Sequence, residues 1–264
     1  MAAPWTLLWP ALLRALHRSV QPVHCDGHGL CSVDKASGVL SHPNGAGASP
    51  LALLRAPYDL RRRAYRLPEG CLFLLNRLDA ATEGILLLAL DGAVAAAVRE
   101  SFADGRVQKV YHALVEGSAS RRERWCDRLL RRSDGSRLEV RPGGSLRAET
   151  DVIPLEVISS PWGPLTLLQL SPLTGRTHQL RVQCAVRHLP ILGDELYGNF
   201  SLNRALRRWG LRGMQLHSSR LRLSYQLDGI TRHFAATAPS LSQFLDRCRL
   251  LRPLPSDRDP ENSD

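Results

Sequence analysis

The amino-acid sequence predicts an α+β domain built on a largely antiparallel sheet. Three observations carry the prediction. Apolar segments of strand length recur along the chain with few helical segments between them. Two of them, 72–75 and 85–90, are continuous apolar runs of the kind buried on both faces. The clearest helical segment is sharply delimited, with Asp91 as N-cap and Gly105 as its stop. The 264 residues allow one large domain or two small ones, and the 44% hydrophobic fraction suits a chain with a real core.

In chain order, residues 1–25 carry no acid and read as a loosely ordered or helical extension, with an organelle signal as the alternative. Residues 30–34 form a short strand running into Lys35-Ala-Ser-Gly38, and 43–50 a Pro/Gly/Ala/Ser loop. After the strands at 72–75 and 85–90, Val94, Val98 and Phe102 follow at helical spacing. Residues 107–115 return to strand-like alternation. The segment 121–149 holds nine arginines against five acids and reads as a mobile hairpin or insertion. Strands follow at 152–158 and 165–171, then helical stretches at 177–187 and 204–209. Residues 215–225 and 231–237 form a β-pair, and 240–251 a closing helix. The expected organisation is the extension, one domain over 26–252, and a disordered Pro-rich acidic tail over 253–264.

The formal net charge is +10, and of 35 basic side chains only Lys35 and Lys109 are lysine. Arginine-rich composition has a bland source in codon usage. It still favours polyanions, since a guanidinium grips phosphate in two places and stacks on bases. No apolar stretch is long enough to cross a bilayer. Six cysteines are too few for a disulfide scaffold and are expected to be reduced. His24, Cys25, His28 and Cys31 invite a zinc reading, but no second ligand pair follows, so no metal is expected. Phosphate-loop, dinucleotide and serine-hydrolase motifs are missing.

Three polar islands stand out. Asn76-Arg77-Leu78-Asp79 interrupts two very apolar segments, where charge is costly unless paired; read blandly, it is an exposed turn. The run Thr82-Glu83-Gly84 after it implies a tight turn needing glycine. Lys109 and Tyr111 share one face of a strand, setting a flat ring beside a cation; the plain alternative is a core aromatic. In Thr174-Gly-Arg176-Thr177-His178-Gln179-Leu-Arg181, a helix puts His178 and Arg181 on one face, and a half-buried Arg181 needs a carboxylate or phosphate.

These strings, with Val33-Asp-Lys35-Ala-Ser-Gly38-Val-Leu-Ser-His42-Pro43 before them and Pro190-Ile-Leu-Gly-Asp194 and Tyr197-Gly198 after, resemble the RluA-like family of RNA pseudouridine synthases in the family's own order. The match runs from about residue 28 to 237. The sequence departs from the family at Asn76, where a histidine is usual, and at Glu83, where a serine is usual. The resemblance implies a mixed, mostly antiparallel curved sheet with flanking helices and a central cleft. It implies an isomerase that breaks the uridine glycosidic bond, turns the base and rejoins it through carbon, without metal or cofactor. Asp79 matches the catalytic carboxylate, Arg181 the cation that keeps it ionised in a dry pocket, and Tyr111 the ring that stacks on the uracil. Arg77 matches the residue that fills the place of the extruded base. Asn76, Lys109, Arg176, Thr177, His178 and Gln179 are expected to contact RNA.

The implied partner is a structured rRNA or tRNA, presented as a splayed loop. No membrane partner is expected, and the resemblance implies a monomer. No small N-terminal RNA-binding module fits the first 25 residues, so substrate choice is expected to rest on the catalytic domain and its insertions. The cytoplasm is the expected compartment, with a mitochondrion as the alternative. A non-catalytic RNA-binding or assembly protein on the same fold is the competing reading; a glycosidase would need a second flanking acid.

Overall fold

The structure, a computed structural model, describes residues 5–43, 49–133 and 138–252. The tail from Pro253 and most of the 43–50 loop lie outside the described residues. The elements are α1 (Trp5–Ala15), β1 (Val20–Cys25), β2 (Leu30–Lys35), β3 (Tyr58–Asp59), β4 (Ala64–Leu67), β5 (Gly70–Leu74), β6 (Glu83–Ala89) and α2 (Gly92–Ala103). Next come β7 (Val107–Glu116), β8 (Glu123–Ser133), β9 (Leu138–Pro142), β10 (Leu146–Ser160), β11 (Gly163–Pro172), α3 (Gln179–Ala185) and α4 (Phe200–Arg208). The chain closes with β12 (Leu216–Leu227), β13 (Ile230–Thr237) and α5 (Leu241–Arg249).

All strands join one sheet, in the order β3-β4-β5-β6-β12-β7-β11-β10-β8-β9, with β2 on β6, β1 on β2 and β13 on β12. Among the described residues every pairing between these strands is antiparallel except β6 against β12, where only His217↔Glu83 and Ser218↔Gly84 meet. This short parallel seam joins the two halves of the sheet. Gly84 makes it possible: its φ is +111°, and a Cβ there would stand 2.1 Å from the Ser218 carbonyl oxygen. The glycine that the sequence places in a tight turn therefore sits in a strand, where it permits close backbone approach.

The expected helix after Asp91 is α2, whose Ala93 and Val94 N–H groups donate to the Asp91 carboxylate at 2.8 and 3.1 Å. Its Val94, Ala95 and Val98 pack on β6, β12 and β13. The N-terminal stretch is built into the fold rather than appended to it. Leu8, Ala11 and Leu12 of α1 are buried, which offsets the hydrogen bond lost at Pro10. β1 adds to the sheet edge beyond β2.

The arginine-rich stretch after residue 121 is also more regular than its composition suggests. Trp125, Leu129 and Val140 are buried, packed with residues of α3 and its neighbours. The apolar residues occupy alternate positions, so charged neighbours mask them in a composition count. Arg187 clamps the segment, stacked 4.6 Å above Trp125 and paired with Asp127 at 3.0 Å.

Cys25 and Cys31 form a disulfide, against the expectation of reduced cysteines. Antiparallel pairing of β1 with β2 sets them directly opposite, with Cα atoms 4.0 Å apart. The neighbouring imidazoles are otherwise engaged: His28 Nε2 meets Arg232 at 2.6 Å and His24 packs against Phe234.

Candidate active site

Asp79 lies in the loop between β5 and β6, just before the parallel seam. A splint of residues 35–41 fixes that loop through backbone atoms. Ser41 Oγ donates to the Leu78 carbonyl at 2.7 Å and accepts from the Leu78 N–H at 3.0 Å. The fully buried Lys35 ammonium donates to the carbonyls of Ala36, Val39 and Ala80 at 2.9–3.0 Å. Burial pulls its pKa down to about 8, against the charges of Asp79, Glu83 and Asp34. Gly38 N–H and Ser37 Oγ cap the carbonyls of Ala80 and Ala81.

Across the cleft, Arg181 of α3 donates through Nη1 to Asp79 Oδ2 at 2.9 Å. Its Nε and Nη2 donate to the two oxygens of Asp194 at 2.7 and 2.8 Å. Arg181 is 6% exposed and Asp194 0%. Burial works against the Arg181 cation, but hydrogen bonds and charge from Asp194, joined by Asp79, outweigh it and raise its pKa. Burial likewise pushes Asp194 up, and Arg181 with the Leu196 and Tyr197 N–H groups overturns that and holds the carboxyl low. The side chain of Asp79 stays 29% exposed, and among the described residues its Oδ1 accepts no protein hydrogen bond. One carboxylate oxygen is thus anchored and the other is left without a protein partner among the described residues.

Tyr111 of β7 points to the same place. It is half-buried against the cores on both sides of the seam. Burial, aided by the Asp79 charge and opposed by a hydrogen bond with Ser218, pushes its phenol up to about 12. The three residues expected to act together, Asp79, Tyr111 and Arg181, therefore converge, though they come from three separate segments.

His178 is not helical. It is the N-cap of α3 with φ +52° and makes no capping bond. That turn sends its Nε2 to 3.6 Å from Asp79 Oδ2 and its Nδ1 to 2.9 Å from the Tyr197 hydroxyl. Burial, with the Arg181 charge, lowers its pKa against the pull of Asp79. Tyr197 also lies beneath the Arg181 guanidinium, 5.1 Å from ring centre to Cζ.

The residues expected at the RNA divide in two. Arg77, Arg176 and Thr177 keep exposed or half-exposed side chains, with Arg176 Nε also on the Arg147 carbonyl at 3.1 Å. Asn76, Lys109 and Gln179 turn inward instead. Asn76 Oδ1 accepts from the Leu87 N–H at 2.7 Å, pinning the Asp79 loop to β6. Lys109 donates to the Thr174 carbonyl at 3.0 Å, and burial brings its pKa down to about 8. Gln179 is buried and binds Thr174 Oγ1, the Arg176 N–H, the Glu149 carbonyl and Thr150 Oγ1. Each polar group sits where a turn leaves backbone partners unpaired, so it is bonded at home. The unusual Glu83 pairs with Arg247 of α5, which ties the seam to the closing helix.

The sequence reading assigned no role to Lys35, Ser41, Asp194 or Tyr197. All four lie within the segments that carry the family resemblance, with no local signal of their own in the sequence. Among the described residues no group of three or more His, Cys, Asp or Glu side chains is placed to hold a metal ion.

A family model described as RNA pseudouridylate synthase matches residues 30–186. A tRNA pseudouridine synthase C of Pectobacterium carotovorum is 31% identical over 169 residues, covering 60% of this chain and 44% of that protein. A ribosomal large subunit pseudouridine synthase C of Vibrio vulnificus is 31% identical over 188 residues, covering 71% of this chain and 58% of that protein. The chain thus spans about half the length of these curated relatives. The solved structure of human RNA pseudouridylate synthase domain containing 1 superposes with a TM-score of 0.60 at 27% identity, over 89% of this chain and 97% of that one. With the matching sheet and the converging Asp79, Tyr111 and Arg181 beside these likenesses, the chain belongs to the RNA pseudouridylate synthase family.

Proposed function

We propose that the protein isomerises a uridine in a structured tRNA or rRNA to pseudouridine, with Asp79 as the catalytic carboxylate. The observation that carries this is the Asp79–Arg181–Asp194 chain, which holds one oxygen of a partly exposed Asp79 whose charge reaches Tyr111. The N1–C1′ bond of the nucleotide breaks and a C5–C1′ bond forms. The proton on C5 leaves to solvent and N1 gains one. Asp79 acts at the sugar, by attack on the anomeric carbon or by removal of a sugar proton. Arg181 keeps the carboxylate charged where water is scarce. Tyr111 retains the detached uracil by stacking, worth about 1–3 kcal/mol per base. Arg77 and Arg176 face the RNA, while Asn76, Lys109 and Gln179 hold the loops that carry the site.

Tritium release from RNA labelled at uridine C5 tests the reading directly. Wild-type protein should release tritium from tRNA or rRNA transcripts, and Asp79→Asn should bind the same RNA without release. Measurable turnover by Asp79→Asn would refute the assignment.

A further inference from the structure

His42 lies in the loop after β2, at the end of the splint that carries Asp79. Its ring is parallel to Tyr58, with centroids 4.8 Å apart and planes 8° from coplanar. Tyr58 meets Tyr65 edge-on at 4.8 Å, and the Tyr65 hydroxyl donates to the Ser41 carbonyl at 2.7 Å. Both tyrosines are buried, so the imidazole is the outer layer of an aromatic stack rooted in the core.

The two ring nitrogens have fixed roles. Nδ1 stands 2.8 Å from the Pro43 carbonyl, which can only accept, so Nδ1 carries the hydrogen. Nε2 stands 3.3 Å from Arg77 Nη1, which can only donate, so Nε2 presents its lone pair. Both contacts require the same neutral tautomer. Arg77 is exposed and precedes Asp79 by two positions. Among the described residues no carboxylate pairs with it, and His42 is its one side-chain partner. Arg63, Arg77 and Arg99 all lie close enough to Tyr58 to oppose the rise that burial imposes on its phenol, so the stack stands among converging cations.

We infer that His42 is the positioning residue for Arg77, holding its guanidinium at the mouth of the Asp79 cleft for an incoming structured RNA. The inference rests on the proposed function above. A carboxylate in the place of His42 would lock Arg77 in an ion pair and repel phosphate. Water alone would leave a long flexible side chain among many rotamers. A neutral acceptor on a rigid ring fixes the direction of the cation yet gives way to a phosphate or base edge.

A double-mutant cycle tests this. His42→Phe keeps the ring on Tyr58 and removes the acceptor, while His42→Gln sets an amide oxygen near the lost Nε2. Each is combined with Arg77→Ala and assayed on C5-tritiated tRNA and rRNA transcripts. His42→Phe should lower kcat/KM about tenfold with kcat changed under about threefold, an effect that shrinks below about twofold in the Arg77→Ala background. His42→Gln should recover at least about a third of the loss. An equal loss with and without Arg77, or no loss in the single variant, overturns the proposal. His42→Ala runs in parallel, so that a folding defect in one variant leaves the other to decide. The same cycle read by RNA affinity in filter binding needs no turnover. Absent tritium release by wild type would then count against the proposed function, and an absent coupling in binding against His42.

Discussion

Asp194 takes Nε and Nη2 of Arg181 on its two oxygens and leaves the third nitrogen of that guanidinium, Nη1, for Asp79. The fully buried carboxylate orients the cation, and the cation orients the partly exposed one. Asp194→Asn keeps the shape and removes the charge, leaving Arg181 buried and half-paired. Breaking a buried pair this way costs about 3–5 kcal/mol. Urea unfolding should show a loss of that order, and tritium release should fall roughly 100-fold, as expected when a preorganised electrostatic partner is lost. A variant with unchanged stability and turnover would show that Asp79 alone suffices to hold Arg181.

Gly84 offers a test of the parallel seam. Gly84→Ala forces a Cβ to 2.1 Å from the Ser218 carbonyl oxygen at φ +111°. Strained backbone and overpacking together should cost about 2–5 kcal/mol. Gly38 has φ +88° but nothing within 4 Å of such a Cβ. Gly38→Ala should therefore cost only the backbone strain, about 1 kcal/mol. Denaturant midpoints of the two variants, compared at constant m-value, separate close approach from conformation.

Two buried histidines behind the seam set an acid limit on stability. Ser219 Oγ lies 2.6 Å from His112 Nδ1 and 2.9 Å from His217 Nδ1, and His217 Nε2 reaches Ser240 Oγ at 2.9 Å. Burial, then Arg220, brings His112 down to about 4. Burial, then His112 and Arg247, brings His217 down to about 3. Both folded values lie below the unfolded value of about 6.5, so the unfolded chain takes up protons first. The stability from neutral rings is complete above pH 6.5 or so and declines as pH falls towards these lowered values. Urea unfolding free energy should drop by a few kcal/mol between pH 7 and pH 4.5, at about 1.4 kcal/mol per unit for each ring. His112→Asn should flatten that slope, and a slope unchanged by it would place the titration elsewhere.

The sequence made several elements around the site legible because their signals are local: Asp91 begins α2, Leu30–Lys35 covers the short strand expected at 30–34, and Val107–Glu116 falls where alternation put a strand. It did not reveal β1 or the disulfide, which depend on pairing across the sheet. Asp79 and Arg181 are 102 positions apart, and only the motif resemblance joined them before the fold did. Asp194 was harder still, since a buried carboxylate serving another side chain has no local pattern. One compositional signal was present and unread. In a chain that uses arginine nearly everywhere, the two lysines, Lys35 and Lys109, both donate to backbone carbonyls in desolvated places. A compact ammonium fits such a pocket of carbonyls, and a planar five-donor fork does not.

Under the proposed function, the two faces of the β8–β9 hairpin carry arginines with different expected effects. Arg131 shares its strand face with Trp125 and Leu129, which pack beside α3, so it lies on the side of Tyr111 and Arg181. Arg128 lies on the opposite face, directly across from Arg147 on β10. Both Arg131 and Arg128 are exposed. Like charges directly opposed on a sheet are destabilising, by about 0.2–1 kcal/mol. Arg128→Ala should therefore raise the unfolding midpoint slightly and leave RNA affinity and its salt dependence unchanged. Arg131→Ala should leave stability alone, weaken RNA binding and lower the slope of log affinity against log salt by about one. Filter binding of tRNA or rRNA transcripts across a salt series, with the reverse pattern between the two variants, would mean that RNA crosses the hairpin on its outer face.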